Sequence, residues 1–171
     1  MSSAAAALLA NTLSFLVFVL IAFFYVVPWL RTKKREAALT VLLWVHAFRY
    51  VALELFSAQR AGLPIPNDLR DQIAYGDVVG TALAVLCILA LRYGIRGGIA
   101  LTWLFAAATF LDLVNALVGG IRHGMMGEVH DVPWLILCFY VPLLWVTLGL
   151  IVWKLLIRRG EGPASTPSRT S

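Results

Sequence analysis

Residues 44–56 read WVHAFRYVALELF, and this stretch decides the fold. Its flanks are apolar enough to cross a bilayer, yet it carries His46, Arg49 and Glu54. A charge at bilayer depth costs ~2.5–3.5 kcal/mol on insertion scales, so it calls for a partner and normally a use. At ~100° per residue, His46, Arg49, Tyr50, Leu53 and Glu54 fall within an arc of roughly 140°. The segment is therefore expected to be a membrane helix with one polar face turned into a bundle.

The rest of the chain agrees with a membrane class. Hydrophobic residues make up 61% and charged residues 13%, with mean hydropathy +0.85. Soluble domains run at about 45–50% apolar and 25% charged. Spanning a ~30 Å hydrocarbon core takes about 20 apolar residues. Five runs qualify, at 4–30, 37–56, 73–91, 98–118 and 132–156. The first lacks the positive leading segment of a signal peptide and is read as retained. The expectation is an all-α integral membrane protein: one domain over 1–159, a bundle of five transmembrane helices. A disordered polar tail at 160–171 follows it, rich in Ser, Thr and Pro.

Charge sets the orientation. Arg31, Lys33, Lys34, Arg35, Arg92, Arg96, Lys154, Arg158, Arg159 and Arg169 collect at one end, and only Arg60, Arg70 and Arg122 at the other. By the positive-inside rule this places the N-terminus extracytoplasmic and the C-terminus cytoplasmic, in a bacterial cytoplasmic membrane. The net charge of +5 lies in short loops rather than in a patch, which excludes a nucleic-acid partner. Cys87 and Cys138 sit inside apolar runs without CxxC spacing and read as buried small hydrophobes.

Turn chemistry supplies the remaining local expectations. Pro64 and Pro66 keep the second connection, 57–72, extended, and Asn67 and Asp131 read as helix N-caps. Pro28 should bend the first helix near its end. Pro142 should kink the last one and free the carbonyl of Cys138.

Depth brings the polar residues together. Counting ~1.5 Å per residue, Arg49 lies ~12 Å below the outer boundary, Asp77 ~9 Å below it and Asp112 at a similar depth. Gly76 and Gly80 form a small-xxx-small strip beside Asp77 and Thr81 that permits close helix approach. Leu101, Phe105, Ala108, Asp112, Asn115 and Gly119 form one stripe on the fourth helix. Glu54, Asp77 and Asp112 then face a single fixed cation, Arg49. Two uncompensated anions at low dielectric are untenable. A carboxyl must stay protonated, His46 must be cationic, or a cation must bind.

The expected function is binding or transport of a small cationic or amphipathic ligand in an outer-half cavity. His46, Arg49, Tyr50, Glu54, Asp77, Thr81, Asp112 and Asn115 form the ligand-binding or proton-linked set, with His46 and Tyr50 as the floor. Polar residues in membrane bundles also serve as interhelical glue at ~0.6 kcal/mol per contact, a role that fits Asn115 and Thr81 equally well. The alternatives are a membrane enzyme of lipid or isoprenoid acid–base chemistry and a haem-carrying or structural subunit of a larger complex. Haem would need a second ligand at the depth of His46, from Tyr50 or a partner subunit. A second candidate site lies in the fourth connection, where His123, Met125, Met126 and His130 offer thioether and imidazole ligands suited to copper. The partners expected are the bilayer, a small-molecule or lipid ligand, and further copies of the chain or other subunits.

Overall fold

The computed structural model describes residues 1–157. The expected tail at 160–171 lies outside the described residues, as do Arg158, Arg159 and Arg169. Five helices are long and apolar enough to cross a membrane: α1 (Ser3–Arg31), α2 (Arg35–Arg60), α3 (Asn67–Arg92), α4 (Gly98–Arg122) and α5 (Asp131–Leu156). The described residues contain no strand. Helices α2, α3, α4 and α5 close a ring, each against its two neighbours, and α1 packs on the outside of α5.

Two apolar clusters fill the ring. The larger unites Leu39, Leu43, Cys87, Phe105, Leu148 and Ile151. The smaller gathers Ala58, Leu63, Ile65, Leu69 and Met125 at the end that carries the 61–66 and 123–130 connections. The helices outrun their apolar windows. Helix α3 starts at Asn67 rather than 73, because Asn67, Asp68, Arg70 and Asp71 extend a helix that hydropathy alone does not register.

Neither expected N-cap forms. Asn67 is the first helical residue, behind Pro66, and its Oδ1 accepts from Gln59 Nε2 at 2.9 Å. Asp131 follows His130 at the start of α5 with φ 52, and its carboxylate pairs with His130 Nδ1 at 2.9 Å.

Both prolines act through a π-turn. The segments Ala22–Val26 and Ile136–Tyr140 each end two residues before a proline. In the second, the Val141 N–H reaches back to the Ile136 carbonyl, five residues away. That diversion leaves the Leu137 carbonyl without its helical donor, and Asn11 Nδ2 of α1 supplies one at 2.8 Å. The expected acceptor was Cys138; the captured one is Leu137, because the π-turn shifts the freed carbonyl by a residue.

Cations close the opposite end. Lys154 Nζ donates to the Leu30 carbonyl at 2.7 Å and the Lys33 carbonyl at 3.2 Å, capping the end of α1. Arg35 Nη2 donates to the Leu155 carbonyl at 2.5 Å, at the end of α5. A positive charge at a helix C-terminus is favourable for the helix dipole. Two of the basic residues that signal orientation therefore also tie helix ends together.

Candidate functional site

The site begins at a break in α2. Regular helix ends at Ala47, and Arg49–Leu53 continues as a 3-10 turn. At the break the Val45 carbonyl takes the Phe48 N–H at 3.4 Å and also accepts from Tyr140 Oη of α5 at 2.7 Å. A 3-10 turn advances by about 120° per residue rather than 100°. The polar arc counted on α-helical spacing therefore comes apart. Arg49 points inward and is 1% exposed, whereas Tyr50 is 48% exposed and its ring lies beside Phe48. Glu54, half-buried at the start of the next helical turn, joins no ion pair among the described residues.

Arg49 meets two carboxylates. Its Nε donates to Asp77 Oδ1 at 2.6 Å, and its Nη2 approaches the same oxygen at 2.5 Å. Nη2 also bonds Asp112 Oδ2, and Nη1 donates to Thr109 Oγ1 at 3.3 Å. Three helices thus supply the expected meeting of Arg49, Asp77 and Asp112. The charge count changes with Glu54 absent. Two carboxylates oppose one guanidinium, an excess of one negative charge rather than two.

The glycine strip of α3 gives its space to side chains of both neighbouring helices. A Cβ at Gly80 would stand 2.6 Å from Arg49 Nη1, and one at Gly76 would collide with Asp112 Oδ1. These glycines seat the ion pair. Helix α4 is rotated from its expected stripe: Thr102, Phe105, Ala106, Thr109 and Leu113 are buried, and Asn115 is exposed. Thr109 is thus a site residue that the sequence reading missed. Threonine is apolar enough in bulk to hide in a hydrophobic stripe, and only the position of Arg49 reveals its role.

His46 lies next to the cluster in sequence but faces elsewhere. It is fully buried, edge-on to Phe105, with Nε2 3.1 Å from Thr147 Oγ1. The Thr147 hydroxyl is directed at the Leu143 carbonyl, 2.8 Å away. His46 Nε2 and that hydroxyl share a hydrogen bond, and His46 Nδ1 is buried without a partner among the described residues. Thr81 Oγ1 is likewise buried and unbonded among the described residues. Of the loop candidates, His123 is exposed, Met125 is packed in the smaller apolar cluster, Met126 is half-buried, and His130 pairs with Asp131.

Two cavities meet at the ion pair. An inner cavity of about 130 Å³ has Arg49, Asp77, Asp112 and Tyr140 on its walls, Leu63, Ile65 and Met125 of the connections at one end, and the exposed Leu117 and Ile121 of α4 in its lining. A groove of about 290 Å³ opens between α3 and α4, bordered by Tyr75, Val79, Gly80, Leu83, Ala108 and Thr109. Arg49 and Asp112 border both, and Asp77 borders only the inner one. The arrangement offers hydrogen bonds and one surplus negative charge to a molecule whose body contacts aliphatic side chains.

A family model described as a domain of unknown function, DUF8737, matches residues 6–156, and the chain belongs to that family. The match takes in the ion pair and nearly the whole of all five helices. No curated protein and no solved structure matches the chain.

Proposed function

We propose that this DUF8737 protein is an integral membrane protein that binds, and passes along, a small amphipathic cation. Asp112 would carry the ligand's charge. The observation that supports this reading is the asymmetry of the ion pair. Asp77 accepts from Nε of Arg49 on an oxygen that Nη2 also approaches to 2.5 Å, and neutralises it. Asp112 shares only Nη2, is 26% exposed against 15% for Asp77, and borders both cavities. Its charge is the surplus one.

Size limits the ligand. An apolar cavity of about 150 Å³ holds one benzene, whereas ordinary ligand sites run to ~300–1,000 Å³. The inner cavity therefore suits a protonated amine on a short aliphatic body. The acid–base enzyme gets less support, since both carboxylates are tied to Arg49 and His46 faces away. In orientation, the basic end would lie in the cytoplasm, with the inner cavity toward the extracytoplasmic side of the cytoplasmic membrane.

Calorimetric titration of the purified protein with hexylammonium tests the reading. Saturable binding by the native chain, lost in a folded Asp112→Asn variant, is expected. Equal binding by both would overturn it.

A further inference from the structure

The groove between α3 and α4 has no part in holding the ligand as described, yet it ends on the same two side chains. Its border includes Tyr75 and Val79, which are 59% and 57% exposed on the outside of the bundle. In a membrane this surface faces acyl chains. At the other end of the ring, Leu63, Ile65 and Met125 of the connections line the inner cavity and are buried, and Leu117 and Ile121 of α4, which also line it, are exposed.

We infer that the ligand reaches the inner cavity sideways from the bilayer, through the α3–α4 groove, parting the Arg49–Asp112 contact on its way. This rests on the proposed binding of an amphipathic cation and adds the route. The occupant of the groove is the aliphatic body of that ligand, and three features support the choice.

Charge comes first: among the described residues, the only carboxylate bordering the groove is the surplus one, so an incoming ammonium can take Asp112 in exchange for Arg49. Arg49 has somewhere to remain, because releasing Asp112 leaves its bonds to Asp77 and Thr109 in place. Space comes next. Gly76 and Gly80 present no side chain where the groove meets the ion pair. Mobility is the third. Arg49 opens a 3-10 turn within α2, a segment with poorer hydrogen-bond geometry than the helix on either side. Parting that contact moves a guanidinium at a place where the backbone is already irregular.

The test follows binding of tritiated hexylammonium to the full chain in lipid nanodiscs over time, with Asp112→Asn nanodiscs as the lipid background. Val79→Trp and Leu83→Trp each narrow the groove at positions outside the ion pair. Gel filtration and thermal unfolding of both variants identify one that keeps its fold. A plug on the route slows arrival and departure alike, so association should fall ~10-fold while equilibrium affinity stays within about 2-fold. Unchanged rates in a folded plug variant overturn the lateral route and leave the binding site standing. No saturable binding by the native chain overturns the site and the route together.

Discussion

Asp77 accepts from Arg49 Nε at 2.6 Å on an oxygen that Nη2 also approaches to 2.5 Å, and this ion pair makes the two residues a neutral unit inside the ring. Everything expected of Asp112 follows from its being the third charge. The pair also makes Arg49 the residue least able to tolerate change.

Replacing Arg49 by Met leaves two carboxylates without a cation. Breaking a buried pair by removing one partner costs ~3–5 kcal/mol. Arg49→Met should lower stability by that amount in denaturant titrations in micelles, and adding Asp77→Asn should recover part of it. Asp112→Asn alone should cost far less, since it removes the surplus charge. Stability equal to native in Arg49→Met would show that the pair contributes nothing to the fold.

The glycines predict opposite outcomes for one chemical change. Gly80→Ala places a methyl against Arg49 Nη1 and should destabilise by about 1–3 kcal/mol, as overpacking does. A methyl at Gly149 of α5 would meet nothing within 4 Å, so Gly149→Ala should stabilise by ~0.5–1 kcal/mol through helix propensity. Thermal unfolding of the two variants side by side checks both signs.

Helix α1 is held to the ring by few polar contacts, of which Asn11 to the Leu137 carbonyl is one. Asn11→Leu should cost ~0.6–1.7 kcal/mol, the range of hydrogen bonds between membrane helices. It should also raise protease sensitivity in the 31–35 connection. An unchanged unfolding midpoint would mean that the π-turn carbonyl finds another donor.

Both native cysteines are buried, so an introduced thiol can report orientation alone. Arg96→Cys should react with a membrane-impermeant maleimide only after the cytoplasmic side is opened, and His123→Cys from outside in intact cells. The reverse pattern would invert the topology.

The fold was legible because apolar runs of membrane length need no tertiary information. So was the meeting of Arg49, Asp77 and Asp112, since antiparallel helices of known rise fix relative depth. Azimuth was not legible. The break before Arg49 rotates everything after it, which turned Tyr50 outward and left Glu54 outside the cluster. The register of α4 was set by Thr102 and Thr109, which bury as readily as Val, and this moved Asn115 to the surface. The capture of the Leu137 carbonyl was not legible either, because a proline announces a disturbed helix without saying that a π-turn absorbs it.

The central claim is that a surplus carboxylate selects a cation. Hexylammonium, hexanol and hexanoate carry the same aliphatic body and differ in charge, and a ligand that binds only the folded state raises the unfolding midpoint. Thermal unfolding of the native chain in each, at equal concentration and ionic strength, should show a rise with hexylammonium alone, absent in Asp112→Asn. Equal shifts with all three, or a larger one with hexanoate, would contradict the account.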